Sequence, residues 1–249
     1  MKTVKRTLSV ILSIVIMLSC SYITAFADDE NVVESGSCGN GLTYVLDTDG
    51  TLTVSGKGRM SNYSSIGSNN YAPWYNNRGL IKKVVLEDGV INIGASAFYN
   101  CKSLVDVDFG NIDTIGMYAF QYCVKLDSAM LPQDCKYLWN SAFESCTSLR
   151  KAYVPGIVIA ASYNKIPYGV FKDCSSLAVL GLGTGIYDIN QYAITGCTSL
   201  RTIISDTPGI KSSFGDTYNV IGWSERTGVC SDNTYTNDKL TWHYDFDNE

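Results

Sequence analysis

The sequence predicts a repeat solenoid, a curved right-handed coil of short strands joined by turns or short helices, closed at its amino-terminal end by a β-hairpin cap. Three observations carry that prediction. An eight-residue pattern, Ala-Phe-x-x-Cys-x-x-Leu, recurs five times. The steps between copies are nearly constant. The composition, with 22 Gly and 17 Tyr in 249 residues and only 17% charged side chains, suits many short strands and turns rather than a helical bundle.

The copies are Ala97-Phe98 with Cys101 and Leu104, Ala119-Phe120 with Cys123 and Leu126, and Ala142-Phe143 with Cys146 and Leu149. Val170-Phe171 with Cys174 and Leu177, then Ala193-Ile194 with Cys197 and Leu200, continue the series. From cysteine to cysteine the steps are 22, 23, 28 and 23 residues, one short period with a five-residue insertion in the fourth unit. Such a unit buries nothing by itself and gains a core only by stacking on its neighbours. After each leucine comes a short strand. In the first full unit Leu104, Val107 and Phe109 point inward while Asp106 and Asp108 point outward, by the period of two that a strand imposes. A second inward pair precedes each Ala-Phe: Val90 and Ile93, Ile112 and Ile115, Cys135 and Leu138, Tyr163 and Ile166, Ile186 and Ile189. Gly94 and Gly116 are expected to let the backbone turn between the two segments, with Trp139, Pro167 and Asn190 in their place later.

The run I-G-x-x-A-F-x-x-C-x-x-L resembles the BspA-like leucine-rich repeats of bacterial surface proteins, over residues 80 to about 205. The stretch from Cys38-Gly39 through Gly50-Thr51-Leu52-Thr53-Val54-Ser55-Gly56 to Pro73-Trp74 resembles the amino-terminal cap of such proteins. The resemblance implies extracellular exposure and adhesion, or binding of host molecules, rather than chemistry. The spacing alone implies the solenoid.

The ends are read separately. Lys2, Lys5 and Arg6, the apolar run Leu8 to Leu18 and the Ala25-Phe26-Ala27 site make residues 1–27 a signal peptide, so the mature chain is expected to begin at Asp28. A retained anchor over Leu8 to Ala27 and lipid attachment at Cys20 are the weaker alternatives. Cleavage removes three basic and no acidic side chains, moving the formal charge from −5 to −8 over 222 residues. So acidic a chain is a poor partner for nucleic acid, whose phosphates need clustered Lys and Arg. No second long apolar segment follows, so no membrane insertion is expected after cleavage. Residues 28–79 form the cap and a degenerate first repeat. Within it Tyr44-Val45-Leu46 and Thr51-Leu52-Thr53-Val54 flank Asp47-Thr48-Asp49-Gly50, a hairpin whose Asp-Gly pair supplies positive backbone angles. Repeats of about 23 residues fill 80–205. Residues 206–249 form a carboxy-terminal cap, in which Leu240-Thr241-Trp242-His243-Tyr244 alternates like a closing strand. No sorting signal follows Leu240, which favours simple secretion.

Nine cysteines invite a disulfide or metal reading. Five of them occupy one slot in successive coils, where a weakly donating thiol can lie against turn backbone, and Cys135 takes an inward position. Neighbouring slots about 5 Å apart would permit bridging, but parallel side-chain directions oppose it. Cys38 and Cys230 lie at opposite ends. No structural disulfide is expected, and no metal site, because a ladder spreads its thiols along an axis. The single histidine, His243, leaves no second imidazole for a ligand set or a relay. Asp47-x-Asp49-Gly50 lacks the later ligands of a calcium loop. Asp106 and Asp108, with Cβ atoms about 7 Å apart, fall nominally within the spacing of an inverting glycosidase, but one smooth strand offers no opposing wall. No catalytic residue, cofactor or metal is therefore assigned.

What is left is a surface. The outward strand positions are Lys83 and Val85, Asp106 and Asp108, Ser128 and Met130, Lys151 and Tyr153, Val179 and Gly181, Thr202 and Ile204. This row is predicted to face solvent and to take a protein or glycan ligand on host or neighbouring cells, with Tyr153 and Met130 as anchors and Lys151 and Asp108 setting orientation. A self-associating structural component, and an adhesive module working beside an enzyme partner, are the other classes the sequence admits.

Overall fold

Alternating apolar residues open the fold. Leu42, Tyr44 and Leu46 on β1 (Val32–Asp47) and Leu52 and Val54 on β2 (Thr51–Met60) are buried, and the two strands pair antiparallel with Leu46 opposite Leu52. The computed structural model describes residues 31–221, apart from 66, 68, 157–164, 184, 191, 206, 208, 209 and 211–217. In the connecting turn the Gly50 amide donates to the Asp47 carbonyl (3.1 Å) and the Thr51 amide to Asp47 Oδ1 (2.8 Å). Gly50 has φ 89°, whereas Asp49 keeps a negative φ. The turn is thus closed by the Asp47 side chain and one left-handed glycine, not by the two positive angles the Asp-Gly pair suggested.

Strand β2 then starts a parallel stack. It pairs with β3 (Lys83–Leu86), and β3 with β5 (Asp106–Asp108). After a break, β7 (Ser128–Met130), β9 (Lys151–Val154), β11 (Val179–Leu182), β13 (Thr202–Ile204) and β14 (Asn219–Ile221) pair in succession. At the break the Asp127 amide still donates to the Val105 carbonyl (3.2 Å), so the coils stay joined. The second inward pairs build shorter strands: β4 (Asn92–Ile93), β6 (Thr114–Ile115) and β8 (Tyr137–Leu138) form one ladder. The strands β10 (Lys165–Ile166) and β12 (Asp188–Ile189) form another. This second interruption falls where the sequence carries its five extra residues. Beyond residue 205, where the repeats were expected to end, β14 adds one more rung, Thr202 pairing with Asn219 after a step of seventeen residues and without the Ala-Phe-Cys-Leu pattern.

Between each second strand and the next leucine the chain makes turns, one of the two forms expected there. The reason is a backbone feature that hydrophobic periodicity does not show. Ser96 and Asn100, Tyr118 and Tyr122, Ser141 and Ser145, and Gly169 and Asp173 all have φ between 55° and 67° or, for Ser96, 53°. These left-handed residues alternate the direction of successive amides. In the first coil the amides of Ser96, Phe98 and Asn100 donate to Met117, Ala119 and Gln121 of the next coil, while those of Ala97, Tyr99 and Cys101 bond within their own. The next coils repeat the arrangement, so the turns form a third hydrogen-bonded ladder.

Inside, like residues stack on like. Trp74, from the 3₁₀ turn Pro73–Asn77, lies over Phe98 (ring centroids 5.3 Å), and Phe98, Phe120, Phe143 and Phe171 continue at 5.3, 5.2 and 5.7 Å with nearly parallel rings. Trp74 thereby fills the phenylalanine slot of a degenerate first coil, and its Nε1 donates to the Ala97 carbonyl (2.8 Å). Gly94 and Gly116 have ordinary φ, so they do not supply the turn as expected. They admit close approach: a Cβ on Gly94 would lie 1.9 Å from the Ser61 carbonyl oxygen, and one on Gly116 2.4 Å from the Ala95 amide nitrogen. Among the described residues no helix is long and apolar enough to cross a membrane. Tyr163, Cys20, Cys230, His243, the expected signal peptide and the expected closing strand at 240–244 lie outside the described residues.

Candidate binding surfaces

The cysteine slot is a structural device. Cys123 Sγ donates to the Phe98 carbonyl (3.1 Å), Cys146 Sγ to Phe120 (3.2 Å), Cys174 Sγ to Phe143 (3.1 Å) and Cys197 Sγ to Phe171 (3.0 Å), each reaching back one coil. The same carbonyl accepts the amide of the cysteine in its own coil, so both of its lone pairs are used. Burial pushes the Cys123 and Cys174 thiols far up, and those of Cys135 and Cys197 up to about 12. The thiolate that nucleophilic or ligand chemistry needs is suppressed. The seven described cysteines are free, and no group of three metal-ligating side chains occurs among the described residues.

The strand face has the predicted register: Lys83 pairs with Asp106, Val85 with Asp108, Ser128 with Lys151, Met130 with Tyr153, and Val179 with Thr202. Its exposure differs from expectation in the carboxy-terminal half. Lys83, Asp106 and Asp108 are exposed, and Val85, Ser128, Met130, Lys151 and Thr202 partly so. Tyr153, Val179, Gly181 and Ile204 are buried, Tyr153 to 8% exposure. Five consecutive paired strands set each outward side chain between neighbours at the same register, where bulky residues cover one another. The Tyr153 hydroxyl is also held by Gln133, whose Nε2 donates to it (2.9 Å). Burial raises the Tyr153 phenol despite that bond. Tyr153 is thus a packed residue and not the exposed anchor predicted. In the accessible half Lys83 Nζ meets Asp106 Oδ2 at 3.0 Å, and this bond raises the lysine. Asp106 and Asp108 are both exposed to solvent.

The turn face carries what the sequence reading missed. Among the described residues, every exposed large hydrophobic side chain from Tyr122 onward is aromatic: Tyr122, Trp139, Tyr168, Tyr187 and Tyr192. Nearer the cap, Tyr71 stacks on Tyr75 (4.2 Å), the Arg78 guanidinium lies over the Tyr75 ring (3.8 Å), and Tyr99 packs edge-on to Tyr122 (5.8 Å). Between these groups runs a polar ladder in which Gln121 Nε2 donates to Glu144 Oε2 (3.0 Å) and Lys172 Nζ to Glu144 Oε1 (2.8 Å). The signal was present in the sequence as aromatic residues at outward slots beside Ala-Phe, but a tyrosine-rich composition reads equally well as strand content.

The family model described as the BspA type leucine rich repeat region matches six copies, over residues 64–201 and 154–215. The chain belongs to the BspA-type leucine-rich repeat family. No curated protein matches it. Among solved structures it is similar to a T. pallidum leucine-rich repeat protein, at 25% identity over 73% of this chain and 79% of that one, with a TM-score of 0.47. It is also similar to a leucine rich cell surface protein from Faecalibacterium prausnitzii A2-165, at 21% identity over 72% of this chain and 56% of that one, TM-score 0.42. A leucine-rich repeat protein from Bacteroides ovatus is 18% identical over 74% of this chain and 66% of that one, TM-score 0.41. In this chain the BspA-type pattern dictates the inward slots, Ile, Ala, Phe, Cys and Leu, and leaves the residues between them to be chosen for what they meet outside.

Proposed function

We propose that the chain is a secreted or cell-surface bacterial binding protein that adheres to macromolecules on host or neighbouring cells and carries no catalytic site. The observation that supports this reading best is the accessible half of the strand face. Lys83 and Val85 lie in register with Asp106 and Asp108, and Ser128 and Met130 open the next sheet, joined through the Asp127 amide, so that charge mixes with partly exposed apolar surface as recognition faces do. Chemistry finds less support. The one carboxylate pair that suggested it is solvated, and Asp106 is tied to Lys83. Immobilised matrix proteins and mucins, probed with the wild-type chain and with Asp108→Ala/Met130→Ala, test the reading. Saturable binding lost in the double variant is expected. Absence of binding together with concentration-dependent self-association would favour a structural component instead.

A further inference from the structure

We infer a second recognition surface, on the turn face of the last coils, for a neutral polysaccharide of equatorially linked hexopyranoses. It stands apart from the strand face, so it survives if the reading above fails. Trp139, Tyr168 and Tyr192 come from three consecutive coils, each just after a short strand of the second ladder, and Tyr187 flanks the last of those strands. They are 39%, 46%, 47% and 60% exposed. Backbone hydrogen bonds hold the loops that carry them in a row: the Ser141 amide donates to the Tyr168 carbonyl (3.0 Å) and the Asn190 amide to the Ile166 carbonyl (3.1 Å). The Tyr168 and Tyr192 rings are 5.4 Å apart.

Three features narrow the ligand. First, the large apolar side chains exposed from Tyr122 onward are, among the described residues, all aromatic. An apolar protein partner would be met as well by Leu, Ile or Met, whereas rings with polar tips suit a ligand that shows both flat C–H faces and hydroxyls. Second, the Tyr168 and Tyr192 rings, from consecutive coils, are 5.4 Å apart, close to the ~5 Å spacing of neighbouring strands. That suits an extended polymer whose successive rings are flat and evenly spaced, as equatorial linkage makes them, and not a wound α-linked chain. Third, the lysines beside the row are already matched. Lys172 meets Glu144 at 2.8 Å and Asp173 at 3.7 Å, and Lys165 meets Asp188 at 2.5 Å. Aromatic platforms also stack nucleobases, but they do so in positively charged grooves, and here net negative charge and matched lysines oppose polyphosphates and polyuronates alike. Glu144 and Lys172 remain as the polar edge that can exchange hydrogen bonds with sugar hydroxyls, and Tyr168 lies within electrostatic range of Lys172.

The test is native affinity electrophoresis of the full chain in gels holding hydroxyethylcellulose, mixed-linkage β-glucan or glucomannan, with glycogen and polygalacturonate as comparison polymers. Retardation by at least one of the first three is expected, weakened about tenfold or more by Tyr168→Ala/Tyr192→Ala. Tyr168→Phe/Tyr192→Phe keeps the rings and should retain most of the binding, which separates stacking from a folding defect. Binding to none of the three, a preference for glycogen or polygalacturonate, or binding unchanged in the alanine pair would each overturn the inference. So would capture of a matrix protein that depends on this pair and not on Asp108 and Met130.

Discussion

Phe120→Ala tests whether the aromatic stack is the continuous spine of the molecule. Phe120 is fully buried, lies between Phe98 at 5.3 Å and Phe143 at 5.2 Å, and meets the edge of Phe109 at 5.9 Å. Truncating a buried Phe to Ala costs about 3–5 kcal/mol through lost transfer energy and the cavity left behind. Here the loss also breaks three ring contacts, each worth about 0.5–1.5 kcal/mol beyond area, which places this site at the upper end of the range. The neighbours cannot close the gap, because the third ladder holds their backbones: the Phe98 amide donates to the Ala119 carbonyl and the Phe120 amide to Ala142, both at 2.8 Å. Equilibrium urea unfolding should therefore show a loss of about 4–5 kcal/mol, a large share of the ~5–15 kcal/mol typical of a domain. Ile194→Ala, at the end of the row where the side chain is 8% exposed, should cost about 2–3 kcal/mol. A Phe120 loss below about 2 kcal/mol, or an Ile194 loss equal to it, would refute the reasoning.

Three further outcomes follow from the same geometry. The buried thiols should resist alkylation in the native chain at pH 8 and remain slow at pH 9, where a thiol raised to about 12, as for Cys135 and Cys197, is about one part in a thousand thiolate; peptide mapping after labelling in and out of denaturant reads this, and rapid native labelling would contradict it. Gly116→Ala should destabilise by about 2 kcal/mol or more, because its Cβ would meet backbone that cannot swing away, whereas Gly79→Ala, with open space around it and no positive φ, should be neutral or slightly stabilising; comparable losses at the two sites in thermal unfolding would contradict the coil contact. Asp106→Asn should change stability by less than about 1 kcal/mol, since the Lys83 pair is about half exposed on both sides, and a larger shift in the urea midpoint would mean that the pair organises the strand face.

The inward slots were legible because stacking repeats one demand. Each coil must place an apolar residue where the previous coil has one, and Ile93, Ile115 and Leu138, or Phe98, Phe120 and Phe143, record that demand at a constant step. Strand register on the outer face followed from the same period. Exposure there did not. Whether an outward side chain is covered depends on how many strands flank it and on single contacts such as that of Gln133 with Tyr153, and neither has a periodic signature. The left-handed residues were equally hidden. Gly169, Asn100 and Asp173 are types that favour positive φ, but Tyr118 and Tyr122 hold the same slots only because the ladder of amides compels them.

That compulsion bears on where recognition can evolve in such a coil. On the strand face, outward residues alternate with core residues one position away and are hemmed by paired neighbours, so enlarging one side chain buries another, as the crowding around Tyr153 and Val179 shows. On the turn face, three ladders already satisfy the backbone and the Ala-Phe pair anchors each loop inward. Ser96, Gln121 and Ser141 next to that pair are buried, while Tyr122, Tyr168 and Tyr192 near it reach solvent without displacing the core. The slot held by Gly94 and Gly116 against neighbouring backbone accepts Trp139 one coil later, where the side chain turns to solvent at 39% exposure. Neighbouring backbone excludes a side chain at Gly94 and Gly116, whereas the coil of Trp139 leaves it room to reach solvent. For this reason the aromatic row is the surface on which a ligand would most readily select residues. Exchange of Trp139 for Gly, leaving the urea midpoint within the equivalent of about 1 kcal/mol while weakening retardation by the β-linked polymers, would show that freedom directly; a loss of several kcal/mol would return Trp139 to the core.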